Sequence, residues 1–281
     1  MKKPGCQLAV LLALLLCGTT LRAEGVNRFQ LESTAVQCLY DIEVVVPTAP
    51  PADATNYPVA YCMDWFMLAD YLKALPRLLA LGHLTEPYIL VGITQGVTSA
   101  DWAAMRTRDY TPAYPTDEYS ISTIYAPALE SCGGAGRFTA FLKSELIPLI
   151  EAEYPADSTR RCFVGYSFGG LYGVHLLTEE PELFQDYLLG SSSLWFNDYY
   201  LAAALEELTA ERLAVIGRVY LSVGEEESWE MLKSYDILRS AFQQTGFEAP
   251  RLKVEIIPDA GHVGAMPISL YNGFRFLFQS E

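Results

Sequence analysis

The chain is 281 residues long and 51% hydrophobic, enough for one sizeable buried core. A formal charge of −15 and a pI of about 4.6 argue against a nucleic-acid partner and against adhesion to anionic lipid. The six cysteines are spaced too widely for a zinc knuckle or a CxxC redox pair, and no metal-ligand cluster is visible.

In chain order, Lys2 and Lys3 precede an apolar run from Leu8 to Leu16, and small and polar residues follow to Ala23. This is the pattern of a secretory signal peptide over residues 1–23, with an apolar part too short to span a bilayer. Cleavage after Ala23 leaves residues 24–281 as a single exported domain, periplasmic or secreted, without a later integral membrane segment and more acidic still. Cys6 and Cys17 leave with the leader. Of the remaining Cys38, Cys62, Cys132 and Cys162, the second and fourth fall in core-strand patterns, which favours buried free thiols, although export would permit disulfides.

Strand-like runs follow at Val36 to Val46, Pro58 to Met63, Tyr88 to Ile93, Arg161 to Gly165, Tyr187 to Ser191, Arg218 to Val223 and Lys253 to Ile257. Helix-period segments lie between most of them: Leu68 to Leu81, Phe138 to Glu153, Phe168 to Thr178, Tyr199 to Glu211 and Ser228 to Thr245, with Ile268 to Phe278 closing the chain. The later strands are short, continuously apolar and β-branched, as expected where helices cover both faces of a sheet. The alternation predicts an α/β fold with a doubly wound, mostly parallel sheet. The first strand alternates less cleanly and suits an antiparallel edge. The polar stretch from Gln95 to Gly136 is too long for a turn and is expected to line a site.

The densest chemical signal is Gly165-Tyr166-Ser167-Phe168-Gly169, set between the apolar Cys162-Phe163-Val164 and a helix-like stretch. A serine on so tight a strand-to-helix turn needs small neighbours, because a side chain at either flanking glycine would strike the crossing backbone. Its hydroxyl is exposed and needs a base, which in turn needs an orienting group. Of the three histidines, His83 follows a helix as a surface or capping residue, and His175 lies two turns into the helix behind Ser167. His262, in a glycine-flanked loop after the last strand, is the candidate base. The acid is expected after the penultimate strand, where Val223-Gly224 runs into Glu225, Glu226 and Glu227. Glu227 is favoured, three residues beyond the strand-ending glycine, with Glu225 and Glu226 open. Two N–H groups are expected to hold an oxyanion, that of Phe168 and, from the loop after an earlier strand, that of Trp65. Asp64 orders that loop. Near the predicted strand ends, Arg106 and Arg108, with Asp109 and Tyr110, offer a grip on a carboxylate, phosphate or catecholate, or an internal salt bridge. Trp102, Trp195, Phe196, Tyr199 and Tyr200 offer an aromatic wall, or ordinary packing.

The elbow Val164 to Leu171 resembles that of the Putative esterase family of α/β-hydrolases, which includes esterase D and the bacterial enterochelin (enterobactin) esterases. So do Tyr57 to Asp64, Val91-Gly92-Ile93, Arg108 to Pro112 and Ser193-Leu194-Trp195, and the ending Gly273 to Phe278 is similar to the periplasmic enterobactin-esterase subgroup. Trp65 is a departure, standing where a glycine is usual after the aspartate. The resemblance implies an α/β-hydrolase fold and a serine esterase acting on a small-molecule carboxylic ester, with Ser167, His262 and Glu227 as a triad and no metal or organic cofactor. It implies a siderophore trilactone as substrate, and Arg106, Arg108, Tyr110 and Trp195, read from their places in the chain, are the residues expected around it. An acetyl or feruloyl carbohydrate esterase would use the same machinery, and a catalytically inactive ligand-binding homologue is the reading from another class.

Overall fold

A computed structural model describes residues 25–48, 56–95, 98–124 and 126–279. The leader expected over residues 1–23 lies outside the described residues. The chain opens with an antiparallel hairpin of β1 (Gly25–Ser33) and β2 (Cys38–Val46). β3 (Tyr57–Cys62), β4 (Ile89–Gln95), β5 (Ala156–Tyr166), β6 (Asp186–Gly190), β7 (Val219–Gly224) and β8 (Leu252–Ile257) complete the sheet. Its order is β1-β2-β4-β3-β5-β6-β7-β8. β2 runs antiparallel to both its neighbours, and every pairing from β4 to β8 is parallel.

Successive strand residues feed opposite layers. Tyr61, Phe163, Tyr187, Leu189 and Leu221 join one hydrophobic core, while Cys62, Cys162, Val164, Leu188 and Tyr220 join the other. The central strands β3, β4, β6 and β7 therefore read as almost continuously apolar, because both of their faces are covered. The second layer holds α1 (Trp65–Leu81) and α11 (His262–Leu277). The first holds α5 (Ala135–Phe141), α6 (Ile147–Glu153), α7 (Phe168–Glu179) and α10 (Trp229–Gln244). Among the described residues all four cysteines are free thiols, with Cys62 and Cys162 buried. Among the described residues no helix is long and apolar enough to cross a membrane.

Four expectations need correction. β1 was not anticipated: as an edge strand it alternates half-buried and exposed residues and gives only a weak apolar pattern. The stretch after Gln95 folds into α2 (Ser99–Tyr110), α3 (Glu118–Thr123) and α4 (Ala126–Leu129). Thr98 and Asp117 start the first two of these, their side chains accepting from the N–H of Asp101 and Ser120. The helix expected over Tyr199 to Glu211 is broken into α8 (Phe196–Tyr199), α9 (Ala202–Glu206) and a tight turn at Arg212–Val215, with Asn197, Asp198 and Tyr199 all at positive φ. His262 sits in no loop; it is the first residue of α11. A smaller irregularity separates α5 from α6, a π-helical turn over Leu142–Leu146 just before Pro148, which has no N–H to continue the ladder.

Candidate active site

The parallel strands end along one rim, and the candidate residues stand there: Asp64 after β3, Ser167 after β5, Ser191 after β6, Glu227 after β7 and His262 after β8. Ser167 has φ 60° and ψ −120°, a conformation an ordinary residue adopts only under constraint. Gly165 supplies the clearance, since a Cβ there would lie 2.3 Å from the Gly169 carbonyl oxygen. The second tight position is Gly170, not Gly169. A Cβ on Gly170 would come within 2.5 Å of Ser192 Oγ, whereas one on Gly169 would meet Asp64 Oδ2 at 3.2 Å and Met63 Cβ at 3.3 Å, side chains rather than crossing backbone. The elbow and the turn after β3 are thus pressed together.

Glu227, not Glu225 or Glu226, reaches His262. Its Oε2 lies 2.6 Å from His262 Nδ1, and its Oε1 accepts the Gly224 N–H at 2.9 Å. Burial alone would raise its pKa, but hydrogen bonds from His262, Ser191 and the Gly224 N–H outweigh it and hold the carboxyl below the ordinary glutamate value. With Nδ1 so engaged, Nε2 is the remaining ring nitrogen, and His262 and Ser167 line one cavity. Ser167 Oγ is turned toward Ser193 Oγ, 3.4 Å away. Such loose nucleophile geometry is common without substrate.

Two further residues brace the pair. Tyr166 Oη donates to the His262 carbonyl at 2.6 Å. Ser191 Oγ lies 2.6 Å from Glu227 Oε1 and 2.8 Å from Tyr166 Oη and, having one proton, donates to one of them at a time. Neither was singled out from the sequence. Tyr166 stood inside the elbow motif but with no sign that its hydroxyl crosses to α11, and nothing distinguished Ser191 from its serine neighbours.

Trp65 and Phe168 open α1 and α7, so both N–H groups fall in first turns, where a helix offers no acceptor. The Trp65 ring turns away from the site. It lies over Gly92 on β4, where a Cβ would fall 1.9 Å from the indole, and its Nε1 donates to Glu43 Oε2 at 3.2 Å. A bulky residue where a glycine is usual is accommodated by a missing side chain on the neighbouring strand. Asp64 before it has φ 55° and is locked from three sides. Its N–H donates to Tyr110 Oη at 3.0 Å, and its two carboxylate oxygens accept from Arg106 Nε at 2.5 Å and a terminal nitrogen at 3.0 Å. The Arg106 guanidinium also lies 5.4 Å from the ring centres of Trp102, Tyr110 and Phe168.

The four residues expected around a substrate therefore part company. Arg106 and Trp195 border the space at Ser167. Arg108 and Tyr110 do not. Arg108 is bound to Asp109 at 2.7 Å and to Tyr40 at 3.1 Å, and Tyr110 is fully buried behind Asp64. His83 is exposed, and His175 packs near Tyr172 on α7. Among the described residues no group of three His, Cys, Asp or Glu side chains is placed to hold a metal ion.

The profile of the Putative esterase family matches residues 33–249. Ferri-bacillibactin esterase BesA of Bacillus subtilis is 26% identical over 275 residues, covering 91% of this chain and 93% of that protein. A siderophore enterobactin esterase of Emericella nidulans is 32% identical over 114 residues, 39% of this chain and 37% of its own. Among solved structures, the BES protein from Bacillus cereus superposes with a TM-score of 0.77 at 24% identity, covering 94% of this chain and 99% of that one. The enterobactin hydrolase IroE, in complex with DFP, superposes with a TM-score of 0.70 at 20% identity over 91% and 95%. At these identities the two structures establish a shared fold, that of the α/β-hydrolases.

Proposed function

Because the chain belongs to the Putative esterase family, and is thereby a hydrolase of ester bonds, we propose that it is an exported serine esterase opening siderophore esters of the enterobactin type. The observation that carries the mechanism is the 2.6 Å contact between His262 Nδ1 and Glu227 Oε2 beside the strained Ser167. It fixes the tautomer that leaves Nε2 free to act as base.

In the first step His262 takes the Ser167 proton as Oγ bonds to the ester carbonyl carbon. The amides of Phe168 and Trp65 receive the developing oxyanion. His262 then returns the proton to the alkoxide as the carbon–oxygen bond breaks, and the alcohol leaves. In the second step His262 deprotonates water, which attacks the acyl-enzyme and releases the acid with Ser167 restored. Glu227 stays ionised and orients the imidazole throughout. The siderophore substrate is supported by relatives named as ferri-bacillibactin and enterobactin esterases. Export is supported by Lys2, Lys3, the apolar run Leu8 to Leu16 and the small residue Ala23.

The test is mass-spectrometric hydrolysis of enterobactin, acetylated and feruloylated xylo-oligosaccharides and a short-chain ester, beside Ser167→Ala. Linear dihydroxybenzoylserine products formed by the native chain, with the rate falling by about 10⁴-fold or more in Ser167→Ala, are expected. Selective deacylation of the sugars, with enterobactin untouched, would replace the siderophore reading by a carbohydrate one.

A further inference from the structure

Two cavities, not one, meet at Ser167. The first, of 220 Å³, is lined by Met67, Leu68, Val263 and Met266 together with His262. The second, of 230 Å³, is lined by Thr107, Thr123, Ile124, Ala128, Phe168 and Trp195. Trp102 and Arg106, on α2, border both and form the partition between them. A serine esterase must divide its substrate at the carbonyl carbon, so the two halves of the ester leave Ser167 in different directions.

We propose that the alcohol half lies in the cavity under Met67, Val263 and Met266 and the acid half in the cavity against Phe168 and Trp195. The assignment rests on the serine-esterase reading above and on which cavity holds His262. The leaving oxygen must come within hydrogen-bond reach of the imidazole to receive its proton, so its substituent is drawn to the His262 side. Water must reach the same nitrogen in the second step, so that cavity has to empty and refill within each cycle. Its walls suit this: Val263 is 75% and Met67 56% exposed.

The other cavity has different chemistry. Phe168, Trp195, Ile124, Ala128 and Thr107 are all buried and make a fixed floor. The Phe168 and Trp195 rings stand 5.6 Å apart, and Tyr119 meets Trp195 edge-on at 5.3 Å. With Trp102 on the partition, the acid half is offered flat aromatic faces. The alcohol half is offered the thioethers of Met67 and Met266 and the aliphatic chains of Leu68 and Val263, which adapt to irregular shapes, beside the Tyr166 and Trp102 rings. The class of ester that fits is one whose acid carries an aromatic group and whose alcohol meets Leu68 and Met266 first and extends outward past the exposed Met67 and Val263.

The test uses two esters that place one ring system on opposite sides of the carbonyl, methyl naphthoate and naphthyl acetate. Thr123→Trp and Val263→Trp each add bulk at an exposed position of one cavity. Fluorophosphonate labelling of Ser167 is read alongside, to report an intact elbow. Relative to the native chain, Thr123→Trp is expected to lower kcat/KM for methyl naphthoate at least about tenfold more than for naphthyl acetate, and Val263→Trp to do the reverse. Ala103→Phe, at a residue of α2 that also lines the second cavity, and Met67→Trp, on α1, repeat the comparison should either first variant fail to label. A reversed pattern, or equal losses on both esters, would overturn the assignment. A chain that leaves enterobactin intact but shows the crossed pattern loses the siderophore reading and keeps the division of the site.

Discussion

Glu227 combines burial with ionisation, and its surroundings explain how. Three donors, His262, Ser191 and the Gly224 N–H, surround a carboxylate whose side chain is screened from water, and together with the attraction of the His262 ring they keep it ionised. Glu227→Gln is expected to lower kcat about 10⁴-fold with little change in KM, because the amide can leave the imidazole in the wrong tautomer. The depressed pKa also sets a direction for stability. Glu227 contributes stability that is fully present above the ordinary glutamate value of 4.5 and is lost as pH falls through its lower folded value. Unfolding midpoints followed down the acid limb should therefore fall less steeply in Glu227→Gln than in the native chain. Tyr166→Phe removes the donor to the His262 carbonyl and the partner of Ser191, and is expected to reduce kcat about tenfold, the cost of one such bond. At this scale the sequence was readable where chain order and strand ends constrain chemistry, as for Ser167 and His262. It was unreadable where a hydroxyl finds its partner across the fold, as for Tyr166 and Ser191, 96 and 36 residues from the groups they brace.

At the scale of elements, the entry to α1 is the least forgiving junction. Asp64 in the left-handed region, the Arg106 clamp and the indole of Trp65 over Gly92 together aim the first amide of the helix. Gly92→Ala is expected to destabilise the fold by about 1–3 kcal/mol, since the added carbon would overlap the indole. It should lower kcat as well, because the Trp65 amide moves with its ring; thermal unfolding beside ester turnover checks both. The central strands were legible because both faces are buried and their apolar runs are short, and β8 because its Val254, Ile256 and Ile257 are β-branched although one face is exposed. β1 was not, having one neighbour and half-exposed residues. The stretch after Gln95 read as an insertion near the site, correctly placed but wrongly called polar loop, since its helices are short and held by capping residues rather than by apolar periodicity.

The whole molecule carries a formal charge of −15, and the only cation bordering both cavities, among their described linings, is Arg106, already neutralised by Asp64. An anionic ester therefore approaches against a field of like sign. Added salt should raise kcat/KM for a multiply negative iron-loaded triscatecholate several-fold, as screening shortens the reach of that field, and leave a neutral short-chain ester unaffected. Stopped-flow or initial-rate measurements across ionic strength separate the two. The doubly wound architecture was legible from the alternation of strand and helix signals alone. Which helix lay on which face was not, because a strand apolar at every residue carries no preference for one layer over the other.

The indole of Trp65 stacked on the bare backbone of Gly92 also ties what one position tolerates to what occupies the other. A side chain at position 92 is admissible only where position 65 is small, so the two sites cannot be altered in either sequence at will. While the tryptophan is present, the glycine is held by its neighbour. Trp65→Gly should restore tolerance of alanine at position 92, making that dependence measurable as a coupling energy between two residues on adjacent elements.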